Sequence, residues 1–138
     1  MSWFFFETDN VFTEDDIGEN LGFVYLITDL ESKRKYIGKK FFTKASYKQV
    51  KGKKKKIRKT SDWEVYYGSN KQLQDDVKSN GVDRYRREIL YLCKTKSECS
   101  YRETKEIFVR DALLSDEYYN LWVSARINAK NLLSLRNE

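Results

Sequence analysis

The sequence predicts an α+β fold in which a few strands form a small sheet flanked by helices. Three observations predict it. Phe23-Val24-Tyr25 and Tyr36-Ile37-Gly38 each read as a strand, and Asp29-Leu30-Glu31-Ser32 between them reads as a turn, so two antiparallel neighbours each carry a tyrosine. Tyr85 to Leu92 alternates at period two, with Tyr85, Arg87, Ile89 and Tyr91 on one face. Apolar residues elsewhere recur at helical spacing behind capping residues. A chain of 138 residues fits one domain, spanning 1–138.

Each element has a local reason. Trp3–Glu7 and Val11–Thr13 form a hairpin around Thr8-Asp9-Asn10, and Thr13 caps a short helix over Glu14–Glu19 with Asp16 at the capping-box position. Leu21–Thr28 and Lys35–Phe42 are the two tyrosine-bearing strands. Thr43–Thr60 is a basic connection in which Lys53, Lys54, Lys55 and Lys56 repel one another, so it is expected to be mobile without a partner. Ser61-Asp62-Trp63-Glu64 opens a short helix that Gly68 ends; Ser69-Asn70-Lys71-Gln72 opens a second, which carries Leu73 and Val77 and closes at Gly81. After the third strand a helix is predicted from about Ser97 to Leu114. A terminal helix follows over 121–138, with Val123, Ile127 and Leu132 roughly in line.

Composition narrows the chemistry. The chain has no histidine, which removes histidine-activated nucleophiles, histidine general bases and histidine-ligated zinc. Proton transfer must use Tyr, Lys, Asp, Glu or a metal-bound water. Cys93 and Cys99 fit no metal-ligand spacing. No apolar run approaches the ~20 residues needed to cross a bilayer, and the N-terminus lacks a signal-peptide pattern, so a cytoplasmic protein is expected. The net charge of +6 is strongly segregated: Lys33 to Thr60 hold 14 of the 27 basic residues and no acid, leaving 13 basic against 21 acidic elsewhere. A segregated basic stretch on an acidic body implies a polyanionic partner.

In order and spacing, Phe23-Val24-Tyr25-Leu26, Lys35-Tyr36-Ile37-Gly38-Lys39-Lys40, Tyr67-Gly68-Ser69-Asn70, Arg87-Glu88-Ile89-Leu90 and Tyr118-Tyr119-Asn120 resemble the GIY-YIG nuclease superfamily. The likeness is to small phage-type, homing-endonuclease-like members with a lysine-rich insert, here 43–60. It covers a core of about 21–120. The resemblance implies a three-stranded antiparallel sheet flanked by helices, and hydrolysis of DNA phosphodiesters with one divalent metal, Mg²⁺ or Mn²⁺. It implies that Tyr25 aligns or deprotonates the attacking water, that Tyr36 shapes the site, that Gly38 admits close backbone approach, that a glutamate on the later helix binds the metal, and that Asn120 supports the site. The first motif departs from the family in reading Phe-Val-Tyr. The family arginine after the second motif is also missing, because the first arginine after Tyr36 is Arg58. Lys39, Lys40 and Arg58 are the candidates for the cation that steadies the scissile phosphate.

Each candidate has a plainer account. A strand tyrosine is usually a core aromatic. Glu103 fits a capping box with Ser100, but Ile107 and Leu114 on its side of the helix turn it inward, which favours it as metal ligand over Glu106. Trp63, Tyr66 and Tyr67 either stack on bases or form the buried face of a short helix, the latter being favoured. Lys51, Lys53, Lys54, Lys55, Lys56, Arg58 and Lys59 are expected to contact phosphates rather than bases. The reading is therefore a metal-dependent DNA endonuclease. The alternatives are a non-catalytic nucleic-acid-binding module on the same scaffold, and a subunit whose acidic body meets a protein partner while the basic loop holds DNA.

Overall fold

The computed structural model describes residues 2–136. Its main sheet has five strands in the order β2-β1-β7-β3-β4, formed by β1 (Trp3–Phe5), β2 (Val11–Phe12), β3 (Gly22–Asp29), β4 (Lys35–Phe41) and β7 (Tyr85–Cys93). The expected three strands, β3, β4 and β7, are present and antiparallel; the N-terminal hairpin enlarges the sheet by pairing β1 in parallel with β7. The sheet is thus mixed. The hairpin has no independent core, so it closes its apolar residues onto the sheet: Trp3 and Phe12 are buried beside Phe23, Phe42 and Trp63.

β3 lies inside the sheet, between β7 and β4, and is buried on both faces. One face sends Phe23, Tyr25 and Ile27 into an aromatic core with Trp3, Trp63 and Leu73, the last from helix α1 (Lys71–Asn80). The other sends Val24 and Leu26, with Ile37 of β4, against Cys99 and Ile107 of helix α2 (Lys96–Val109). Val24 faces Tyr91 and Tyr25 faces Ile89, so Leu90 is an extra residue in β7. This bulge breaks the predicted alternation: Leu92 joins the aromatic side with Ile89, while Tyr91 turns toward α2 and meets Glu106.

Several local expectations are corrected. Helix α1 is capped by Asn70, whose carbonyl oxygen accepts from Leu73 N–H, one residue later than predicted, and Gly81 closes it. Thr13 and Trp63 begin only single 3₁₀ turns, Glu14–Asp16 and Trp63–Val65. Helix α2 starts behind Thr95, which places Ser100 and Glu103 in its interior and removes the capping-box account of Glu103. It ends before Asp111, which adopts the left-handed conformation, and Leu114 lies beyond it, exposed. The terminal helix does not form: residues 121–128 are irregular, and Asn128 starts a 3₁₀ segment, Ala129–Leu135, by accepting from Asn131 N–H. The last residues of that predicted helix, Asn137 and Glu138, lie outside the described residues.

The largest correction is the basic segment. It is an ordered two-stranded ribbon, β5 (Thr43–Val50) and β6 (Lys53–Thr60), paired in register over its whole length. Lys51 and Gly52 both take positive φ, 50° and 76°, the geometry of a two-residue hairpin turn. That turn, with β-formers Tyr47, Val50 and Ile57, outweighs the lysine repulsion that suggested a mobile loop.

The β3–β4 turn is pinned by Asp29. Its carboxylate accepts from Arg84 Nε at 2.7 Å and Nη2 at 2.9 Å, and from the Glu31 and Ser32 amides. The Arg84 guanidinium holds the Asp29 carboxyl far below its ordinary range. Asp29→Ala is expected to lower unfolding free energy by about 2 kcal/mol, because it leaves two turn amides without their acceptor and leaves Arg84 paired only with the exposed Glu31. The Asp29 contribution is complete above the ordinary aspartate pKa of about 3.9 and is lost as pH falls below it. Urea titrations from pH 7 to pH 2 on wild type and variant check both expectations; parallel stability curves would contradict them.

Candidate active site

The site forms where β3 and β4 meet, at the pair Tyr25 and Gly38. Tyr25 belongs to the aromatic face, and its ring lies against Trp3, Tyr66 and Tyr36, with centroids 5.4, 6.0 and 6.1 Å away. It is fully buried, and its hydroxyl makes no well-formed hydrogen bond among the described residues, although the Tyr66 side chain lies within weak hydrogen-bonding reach. Burial pushes this phenol well above its ordinary pKa, and the neighbouring Tyr66, Tyr36 and Glu103 add to the effect. The protein alone therefore holds Tyr25 as a protonated hydroxyl, not as a phenolate. Gly38 is required beneath it: a Cβ there would overlap the Tyr25 hydroxyl and Cζ.

Tyr36 shares that face. Its hydroxyl meets Ser69 Oγ at 2.9 Å, and its ring packs over Gly68, which takes φ 89°. Burial raises its pKa, partly offset by the Ser69 hydrogen bond. Tyr66 is positioned from behind by Arg87, which donates to the Tyr66 carbonyl at 2.8 Å and is stacked between the Trp3 and Tyr67 rings.

The outer edge of β4 is closed by three successive devices. Lys35 exchanges backbone hydrogen bonds with Glu117 and Tyr119. Ile37 N–H donates to Asn120 Oδ1 at 3.0 Å, and Asn120 Nδ2 donates to the Ile37 carbonyl at 2.8 Å. The Glu103 carboxylate stands next along the edge, where the Lys39 amide favours its charged form. Asn120 thus acts on the backbone between Tyr36 and Gly38. Glu103 reaches the same edge from α2, one position further along. Burial raises the Glu103 pKa, and the Lys39 charge and amide pull it back.

The remaining predicted residues separate clearly. Glu106 points elsewhere, pairing with Arg110 at 3.4 Å and accepting from Tyr91. Lys39 turns to α2 and donates to Ser100 Oγ at 2.8 Å. Lys40 lies on the tyrosine face: it pairs with Asp62 at 2.6 Å and sits over the Tyr66 ring at 4.0 Å. Arg58 is on the ribbon and is tied to Thr43. Lys51, Lys53, Lys54, Lys55, Lys56 and Lys59 are all exposed on the ribbon and its turn. Trp63 is buried, whereas Tyr66 and Tyr67 are partly buried. Sequence reasoning missed the support given by Ser69 and Arg87, which no spacing signals. It undervalued Tyr66.

Among the described residues, no group of three or more acidic, histidine or cysteine side chains is placed to hold an ion. What the site offers is one partly desolvated carboxylate, Glu103, at the edge of β4, and a buried hydroxyl without a well-formed hydrogen bond, Tyr25, on the tyrosine face. This donor set fits Mg²⁺, which keeps several waters and takes few protein ligands. No helix among the described residues is long and apolar enough to cross a membrane.

The two-tyrosine sheet edge, with its helix glutamate and closing asparagine, is that of a GIY-YIG nuclease domain. The family model described as putative endonuclease segE, GIY-YIG domain, matches residues 3–123, and the chain belongs to that family. No curated protein and no solved structure matches it.

The Tyr25 hydroxyl separates stability from activity. Tyr25→Phe is expected to be as stable as the wild type or slightly more so, because it removes a buried oxygen that makes no well-formed hydrogen bond. If that hydroxyl handles the attacking water, the same variant loses activity by about 10²–10⁴-fold. Urea denaturation and plasmid nicking measure the two effects; a clearly destabilised variant would mean that the hydroxyl has a structural partner.

Proposed function

We propose that this chain is a metal-dependent DNA endonuclease that hydrolyses phosphodiester bonds within one domain. The observation that carries this reading is the Tyr25 hydroxyl, buried above Gly38 without a well-formed hydrogen bond among the described residues, with Tyr66, Tyr36 and, more weakly, the Glu103 charge acting on it. A fold that leaves such a group unsatisfied bears a cost that a bound water or substrate would offset.

Tyr25 then holds the attacking water by hydrogen bonding, since burial keeps its proton in place. Tyr36, fixed by Ser69, limits how the phosphate enters. Glu103 would hold Mg²⁺ or Mn²⁺ with waters and phosphate oxygens completing the shell. When bound, the cation supplies charge stabilisation to the phosphate and the leaving oxygen. Lys39 keeps Glu103 ionised for that task. Lys40 is the best-placed cation for the non-bridging oxygens, because it shares a face with Tyr36 and touches Tyr66. Asn120 holds the strand that presents Tyr36 and Gly38. The ribbon lysines draw the polyanion to the site.

Plasmid cleavage with and without a chelator is the direct test. Wild-type cutting that stops on chelation supports the proposal; duplex binding without any nicking in Mg²⁺ or Mn²⁺ would replace it with the non-catalytic binding module. Glu103→Gln gives a second check. Between the ordinary glutamate pKa of about 4.3 and the raised folded value, the folded state holds the extra proton, so stability falls as pH rises and the cost persists above that window. Glu103→Gln should therefore melt higher than wild type at pH 8, with the difference shrinking toward pH 4, while cleavage is abolished. A variant that cuts at the wild-type rate removes Glu103 from the mechanism.

A further inference from the structure

The ribbon has a feature that attraction to a polyanion does not by itself require. Its register places Lys44 opposite Lys59 and Lys48 opposite Lys55, on the face that also carries Lys53. Directly opposed like charges destabilise a strand pair. The ribbon forms a sheet of its own, with all but Thr43, Ser46 and Ile57 exposed. An isolated two-stranded hairpin is marginal even without such repulsion. The arrangement suits an environment that presents negative charge on both sides at once.

A duplex groove is that environment. Opposed residues on paired strands have Cβ atoms about 5 Å apart, so two splayed lysine stems reach phosphates on either side of a major groove about 12 Å wide. The minor groove, about 6 Å wide, is too narrow for two strands with side chains on both faces. Eight-residue strands span about 25 Å, most of one turn of DNA. Both ends of the ribbon are fastened at the site. Phe42 N–H donates to the Leu21 carbonyl, Ser61 bonds Phe42 and Phe41, and Asp62 pairs with Lys40.

We propose that the β5–β6 ribbon lies in the major groove of duplex DNA, with its opposed lysines on the phosphates of the two strands, and that it sets which phosphate reaches Tyr25. The inference rests on the nuclease reading for its substrate, but duplex gripping is measured without cutting. The test uses the full chain carrying Tyr25→Phe, a short DNA duplex and a chelator. On this background K44Q/K48Q/K55Q/K59Q is compared with K78Q/K94Q/K105Q/K130Q, which makes the same charge change on the body. The ribbon variant should flatten the slope of log affinity against log salt by roughly 3–4, at about 0.9 for each phosphate that is no longer neutralised. The body variant should change the slope by less than about 0.9 in all. Dimethyl sulfate should show protection of guanine N7, which lies in the major groove, with the background protein and the body variant but not with the ribbon variant. The ribbon variant relieves like-charge pairs, so its melting temperature should not fall.

Equal slope changes in the two variants, protection at adenine N3 instead of guanine N7, or equal affinity for single and double strands would each overturn the proposal. So would a ribbon variant that melts well below the background protein. A duplex-gripping ribbon in a wild type that never cuts would remove the nuclease reading and leave this inference standing. Metal-dependent cutting with an unchanged slope in the ribbon variant would do the reverse.

Discussion

The structure depends on how the exposed side of β4 is closed. An edge strand offers a row of unpaired amides and carbonyls, and these must be satisfied without adding a strand that would cover the site. Three short devices do this in succession: the 117–119 backbone at Lys35, the Asn120 carboxamide at Ile37 and the Glu103 carboxylate at Lys39. Because each is local, the opposite face of the strand stays open around Tyr36 and Lys40. Because they come from α2 and the segment soon after it, both far along the chain from β4, the site exists only when α2 and the 117–120 segment have docked.

The same region carries the chief energetic oddities of the molecule. A phenol is buried without a well-formed hydrogen bond, a carboxylate is partly desolvated at a sheet edge, and a guanidinium packs against two aromatic rings and binds one carbonyl. None of these is a good choice for stability alone. Apolar residues of similar size would pack at least as well. Together they hold polar atoms in fixed directions before any substrate arrives, which is what catalysis of phosphate chemistry requires.

Much of this was legible in the chain, and for identifiable reasons. β3 and β4 were readable because Val24-Tyr25 and Tyr36-Ile37-Gly38 flank a strong turn. The inward turn of Glu103 was readable from Ile107 on its side of the helix, although Leu114, part of the same argument, lies exposed beyond the helix end. The ribbon was misread because four consecutive lysines dominate the eye, whereas Lys51-Gly52 supplies a turn whose backbone geometry sets the register. The alternation in β7 was read correctly up to Ile89 and failed at Leu90, since a bulge leaves no mark in the pattern itself. Asn128 diverted the terminal segment locally, where a half-buried apolar stripe was too weak to impose a continuous helix. Tyr66, Ser69 and Arg87 entered the site through tertiary contacts alone, which no spacing encodes.

The parallel pairing of Trp3 with Arg87 sets an order in time. During synthesis β1 can pair only with β2 until β7 leaves the ribosome, more than eighty residues later. The β3–β4 hairpin and the lysine ribbon can form in the interval, while the aromatic core beneath Tyr25 stays open to water. Trp3 is the inner wall of that core. β1 is made before its partner β7 and is therefore among the last elements to be fixed, so the Tyr25 pocket is sealed only after β7 has been translated.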